Sequence, residues 1–300
     1  MIIMKWEGRQ KSENVDDRRG RSSAPRVGAG LGIGTLLIVL IGYLLGFDLS
    51  GLMTSSAQYD NSGYQQEQQQ GSGIEGGVAT ADGGLGDFVK VVLKDTEDVW
   101  NKLFRERYGR DYPEPTMVLF TGRVQSACGF ASSATGPFYC PADEQVYIDL
   151  QFYQELKTKF QVSGDFAMAY VIAHEVGHHI QKQLGYTEYV HKQKGRVPET
   201  EYNQLSVRLE LMADYLAGVW AHHAHKMKNI LEEGDLEEAL DAAHAIGDDT
   251  IQKRSRGYVV PDSFTHGSSE QRIKWFREGL MSGGNLSQEY LDQFFTSRSI

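Results

Sequence analysis

The sequence predicts an α+β fold, mainly helical with a small antiparallel sheet, preceded by one transmembrane helix. Three observations carry that expectation. Apolar residues recur at helical spacing through most of the chain beyond residue 85. Of two short runs, Met117 to Thr121 is a strand candidate and Gln145 to Leu150 alternates as a second strand should. Val27 to Phe47 holds neither charge nor proline over 21 residues, enough at about 1.5 Å per residue to cross a bilayer core.

Residues 1–26 mix basic and acidic side chains and offer little that could form a core, so they read as a short, mostly disordered cytoplasmic tail. Trp6 there could serve a partner or a membrane surface. Residues 27–47 form the expected membrane helix. A cleavable signal peptide is the competing reading, but the apolar run is long for one and no clear small-x-small site follows it. The glycines at 28, 30, 32 and 34 follow no strand and open into hydrocarbon, so a small-residue helix face fits better than a dinucleotide loop.

Lys5, Arg9, Lys11, Arg18, Arg19, Arg21 and Arg26 precede this run, whereas residues 48–84 hold no Lys or Arg. By the positive-inside rule the chain would be a single-pass inner-membrane protein with its N-terminus in the cytoplasm and its C-terminal domain periplasmic or extracellular, held to the lipid bilayer through residues 27–47. Residues 48–84, rich in Gly, Gln and Ser, read as a flexible linker. A formal charge of -10 argues against a nucleic-acid partner.

The folded domain is expected over residues 85–300. Phe88, Val92, Val99 and Leu103 mark an amphipathic helix ending before Gly109. Cys128 and Cys140 flank a turn-rich segment between the two strands. Outside the cytoplasm a disulfide is the expected state, with free thiols or a thiolate metal site as the other possibilities, and no further ligands stand close by for the latter. A helix follows from Asp165 to Leu184, then a polar loop, a helix from about Tyr202 to Lys226, and helices at 235–253, 269–282 and 287–297. Ser268 with Gln271 has the spacing of a capping box.

The chemistry sits in the 165–184 helix, which reads His174-Glu175-Val176-Gly177-His178. Residues four apart share a helix face, so His174 and His178 can hold one Zn²⁺ while Glu175 takes a proton from water. Ile172, Val176 and Ile180 stripe another side of the helix for burial. A surface helix that carries histidines by chance is the bland reading. Gly177 in mid-helix implies that something approaches the backbone there, a second helix or substrate.

A catalytic zinc needs a third protein ligand. Gln181 and Leu184 stand where a compact metzincin would have glycine and histidine, so the ligand must come from further along. Glu210 and Asp214 share one face of the next helix. Glu210 could complete the site and Asp214 could receive the N–H of a ligand histidine, against the bland reading of a solvated acidic face. His179, His191, His222, His223, His225 and His244 read as solvated or structural.

These residues, with Met4 to Arg9, Asn14 to Arg19, the stretches around Cys128 and Cys140, and Phe264-Thr265-His266-Gly267-Ser268, resemble the bacterial putative neutral zinc metallopeptidase family over nearly the whole chain. Met1 to Ile3 precede that family's usual start. The resemblance implies a zincin-like metallopeptidase domain. The Glu210 to Asp214 block is also similar to the gluzincin arrangement, which implies Glu210 as ligand and Asp214 as its supporting carboxylate. His266, in a loop before a capped helix, could donate to a developing oxyanion or serve only local structure.

The expected function is therefore a membrane-anchored neutral zinc metallopeptidase acting on a peptide or protein substrate, with Glu175 as general base. Substrate could add as a strand along an edge near Gln145 to Leu150. The alternative is a non-catalytic, membrane-tethered binding module that uses zinc only to hold its helices together.

Overall fold

A computed structural model of the chain describes residues 4–20 and 84–297. A short strand β1 (Val15–Asp17) comes first, then the long helix α1 (Leu85–Tyr108) and strands β2 (Thr116–Phe120), β3 (Arg123–Ser126), β4 (Gly129–Ser132), β5 (Phe138–Cys140) and β6 (Gln145–Asp149). Helices α2 (Phe152–Thr158), α3 (Phe166–Leu184), α4 (Tyr186–His191) and α5 (Glu199–Lys228) follow. The described chain ends with α6 (Asp235–Ala245), α7 (Asp248–Arg256), α8 (Ser269–Ser282) and α9 (Gln288–Thr296).

The main sheet has the order β1-β2-β6-β5, and β3 and β4 form a separate hairpin. β1, β2 and β6 run parallel and only β5 is antiparallel to its neighbour, so the small antiparallel sheet expected from sequence is a mixed one. Met117, Leu119, Val146 and Ile148 pack into the helical core, while Val118, Phe120 and Tyr147 pack with Val124 and Ala131 of the hairpin. With both faces covered, β2 and β6 read as nearly continuous apolar runs. Cys128 and Cys140 form a disulfide that ties the hairpin turn to β5.

The transmembrane part of the expected fold class is corrected. Among the described residues no helix is long and apolar enough to cross a membrane, and the run at 27–47, like most of the expected linker, lies outside them. Val15, Asp16 and Asp17 pair with Met117, Val118 and Leu119, so described residues before and after that run share one sheet.

Residues 4–20, expected as a disordered tail, are instead built into the domain. Met4 is buried, and Trp6 stacks edge-on against Phe88. Asp95 and Glu97, acidic residues buried within α1, are partnered by this segment together with Lys228 of α5 and Lys94 of α1. Arg9 and Lys228 reach Asp95, and Ser12 and Asn14 reach Glu97. A buried carboxylate without such partners would be costly, so the N-terminal strap and α1 require each other.

α3 runs through the middle of the domain, with Ile172, Val176 and Ile180 fully buried. α5 crosses it at Gly177, where an added Cβ would lie 3.0 Å from the Ala213 carbonyl. The close approach expected at that glycine is thus a helix contact. α5 and α8 meet still more tightly, since a Cβ on Gly279 would fall 2.0 Å from the Tyr215 carbonyl oxygen. The helix expected over 235–253 is broken into α6 and α7 at Ile246 and Gly247, where the backbone abuts Ser269 at the start of α8. Ser268 and Gln271 cap α8 reciprocally, as their spacing predicts.

Candidate metal centre

α3 and α5 bring His174, His178 and Glu210 together, each offering a ligand atom within 4.8 Å of the others. Nε2 of His174 stands 3.2 Å from one Glu210 carboxylate oxygen and Nε2 of His178 stands 3.5 Å from the other. A tetrahedral zinc with bonds near 2.0–2.1 Å has ligand-to-ligand edges of about 3.3 Å. Donor type and spacing both suit zinc.

The remaining nitrogens are fixed by neighbours. His174 Nδ1 donates to Asp214 Oδ1 at 2.8 Å, and Tyr170 OH donates to the same oxygen at 2.6 Å. Arg272 of α8 closes the group, with Nε 2.9 Å from Asp214 Oδ2 and Nη2 3.0 Å from Oδ1. His178 Nδ1 donates to Gln181 Oε1 at 3.0 Å, and the Gln181 amide in turn donates to the Leu209 carbonyl at 2.6 Å. Each histidine thus presents Nε2 toward Glu210 with its ring orientation set from behind.

Burial works against every charge in this group, and pairing outweighs it. Asp214 is fully buried, yet the Arg272 guanidinium and His174 hold its carboxyl below the ordinary range. Glu210 is held well below its ordinary range because the charges of His178 and His266, with hydrogen bonds from His174 and His178, overcome burial. Burial would also lower His174, but Asp214 and Glu210 hold it up at about 9.

Glu175 lies on the same helix at 8% exposure. Burial raises its carboxyl above the ordinary range against the charges of His178 and His174, and it accepts a hydrogen bond from the Tyr139 main-chain N–H. β5 therefore borders the site and is an outer strand of the sheet. The edge expected near Gln145 to Leu150 is corrected, because among the described residues β6 lies between β2 and β5, with β5 pairing along Gln145–Tyr147, so the outer strand is β5.

His266 reaches the group from the loop before α8. Its Nδ1 lies 3.0 Å from Thr265 Oγ1 and 3.3 Å from Asp248 Oδ1, while Asp248 Oδ2 accepts the main-chain N–H groups of Thr265, His266 and Gly267. Burial is outweighed by Glu210 and Asp248, which raise the His266 pKa.

Other histidines serve structure. His179 links the Tyr139 hydroxyl to the Pro113 carbonyl, and His222 and His223 donate to the Leu280 and Gly283 carbonyls at the end of α8. Arg272, Tyr170 and Gln181 are site residues that the motifs do not indicate. For Arg272 the available signal was an arginine within the first turn of a capped helix next to His266.

The chain is 46% identical over 288 residues to the uncharacterized protein YpfJ of Escherichia coli (strain K12), covering 93% of this chain and 96% of the relative. It is 44% identical over 184 residues to the uncharacterized protein Rv2575 of Mycobacterium tuberculosis (strain ATCC 25618 / H37Rv), covering 57% of this chain and 60% of the relative. No solved structure matches the chain. The family model described as "Putative neutral zinc metallopeptidase" matches residues 4–290, a span that includes the N-terminal strap, His174, Glu175, His178, Glu210 and Arg272. The chain therefore belongs to the putative neutral zinc metallopeptidase family.

Proposed function

We propose that this protein is a zinc-dependent peptidase in which His174, His178 and Glu210 hold the metal and Glu175 is the general base. The observation that carries this reading is the convergence of two Nε2 atoms on one carboxylate, 3.2 and 3.5 Å from its two oxygens, with Glu175 beside them on the same helix. Bound there, zinc would lower the pKa of a coordinated water and polarise a peptide carbonyl.

Glu175 takes a proton from the attacking water and passes it to the leaving amine. His266, fixed through Nδ1 by Asp248 and Thr265, keeps Nε2 for a hydrogen bond to the developing oxyanion. An extended substrate pairs with the free side of β5, where the Tyr139 main chain faces Glu175. The Cys128–Cys140 disulfide supports an oxidising, extracytoplasmic setting for the domain.

Metal analysis of the purified chain, followed by digestion of a peptide library with and without chelator, tests this reading. One zinc per chain and cleavage that chelator abolishes and added zinc restores are expected. Stoichiometric zinc without cleavage of any peptide would favour the non-catalytic binding module, and absence of zinc would overturn both.

A further inference from the structure

A second group of carboxylates converges outside the metal centre. Asp165, at the N-cap of α3, and Asp235 and Glu238 in the first turn of α6 bring oxygens within 4.8 Å of one another. Each carboxylate uses one oxygen on a main-chain N–H. Asp165 Oδ1 accepts from Met4 at 3.0 Å, Asp235 Oδ2 from Glu232 at 2.9 Å, and Glu238 Oε2 from Phe166 at 3.0 Å. An aspartate at an N-cap ordinarily caps its own helix, but Asp165 makes no such side-chain bond. Glu238 reaches over from α6 to cap α3 in its place, which leaves Asp165 to the acidic pair.

The second oxygens set this group apart from an ordinary acidic patch. Asp235 is 1% exposed, and its Oδ1, like Oδ2 of Asp165, is buried without a hydrogen-bond partner among the described residues. Lys5 acts on Asp235 through its charge, yet its ammonium is directed to Glu232 at 3.8 Å. The helix starts favour negative charge, but the N–H groups they offer are met by the other oxygens. Glu238 is seated in space that only a glycine leaves open, since Gly164 has φ +106° and a Cβ there would lie 1.8 Å from the Glu238 carboxyl carbon.

Buried carboxylate oxygens without a donor are costly, and a site built from carboxylates alone suits a hard cation. Calcium accepts irregular oxygen geometry at about 2.3–2.6 Å, so one ion reaches oxygens up to 4.8 Å apart. Magnesium demands a near-ideal octahedron at about 2.0–2.1 Å, a tighter cage than this one.

We propose that Asp165, Asp235 and Glu238 form a calcium-binding site in which Asp235 Oδ1 and Asp165 Oδ2 are two of the ligand atoms. The ion joins the start of α3, the helix that carries His174 and His178, to the start of α6 and, through Met4, to the N-terminal strap. Its role is to hold these elements together. The site is independent of the zinc centre and of the peptidase reading.

The purified full-length chain, dialysed into calcium-free buffer and titrated with calcium chloride, provides the test. Millimolar calcium is expected to raise the melting temperature by roughly 5 °C, and equilibrium dialysis should find one ion bound in this pocket. Magnesium at the same concentration should give roughly half that shift or less. Asp235→Asn, which can still accept from Glu232, should abolish the shift and the bound ion. Because it removes one of three mutually repelling charges, this variant should melt at or above wild type in calcium-free buffer, which separates lost binding from lost folding. Glu238→Gln, which keeps the acceptor for Phe166, should weaken calcium binding at least about tenfold. No calcium bound at millimolar concentration, a response that survives Asp235→Asn, or an equal response to magnesium would overturn the proposal. So would Asp235→Asn melting below wild type without calcium, because the carboxylate would then serve the fold with no ion.

Discussion

Asp214 Oδ1 accepts a 2.8 Å hydrogen bond from Nδ1 of His174 across the α3–α5 interface. The same carboxylate neutralises Arg272, so it orients the His174 ring while carrying a buried ion pair. Asp214→Asn should therefore fail in two measurements at once. Zinc affinity, read by competition with a chromophoric chelator, is expected to fall about 10- to 100-fold. Stability should fall by about 3–5 kcal/mol, because Arg272 would be left buried without its counter-charge. A zinc affinity within twofold of wild type would refute the role assigned to Asp214.

Gln181 does for His178 what Asp214 does for His174, without a charge. Gln181→Leu removes the acceptor for His178 Nδ1 and the donor to the Leu209 carbonyl. A roughly tenfold loss of zinc affinity with a stability loss of about 1–3 kcal/mol is expected from titration and melting. Unaltered affinity would show that the His178 ring is held by packing alone.

His174 supplies the pH prediction. In the metal-free protein Asp214 and Glu210 hold its pKa at about 9, above the unfolded value of about 6.5. Its contribution to metal-free stability is therefore full below about pH 6.5 and lost as pH rises through about 9. Ligation requires the neutral imidazole, so zinc uptake near pH 7.5 should release about one proton or more per ion. Calorimetric titrations in buffers of different ionisation heat measure that number, and a value near zero would contradict it.

The α5–α8 crossing gives a packing prediction. A Cβ on Gly279 would lie 2.0 Å from the Tyr215 carbonyl oxygen and 2.9 Å from the Val219 main-chain nitrogen, backbone atoms that cannot rotate away. Gly279→Ala should cost about 3 kcal/mol and, by separating α8 from α5, weaken the Arg272–Asp214 pair and zinc affinity with it. Melting at or above the wild-type temperature would refute this account of the crossing.

The local part of the centre was legible in the sequence, because helical spacing alone places His174 beside His178 and Glu210 beside Asp214. That these two helices meet was supported by Gly177, whose missing side chain admits Ala213. Arg272 could not be read in this way, since it arrives from a helix far along the chain and no spacing rule connects it to His174. β1 was hidden for a related reason. Val15-Asp16-Asp17 is a three-residue strand with two charges, and its parallel partner lies about 100 residues away, so neither length nor alternation distinguishes it from a tail. The cue was the reverse one, two acidic residues, Asp95 and Glu97, set among the apolar residues of α1. β5 was obscured by its three-residue length, and with it the side of the sheet that faces the site.

Glu175 separates a peptidase from a protein that merely holds zinc, so the most direct measurement is zinc content and peptide turnover of Glu175→Gln, side by side with wild type. The geometry predicts one zinc per chain in both, bound with similar affinity, and turnover in the variant reduced by about 10²- to 10⁴-fold. Unchanged turnover by a fully zinc-loaded Glu175→Gln protein would contradict the assignment of Glu175 as the base and, with it, the proposed reaction.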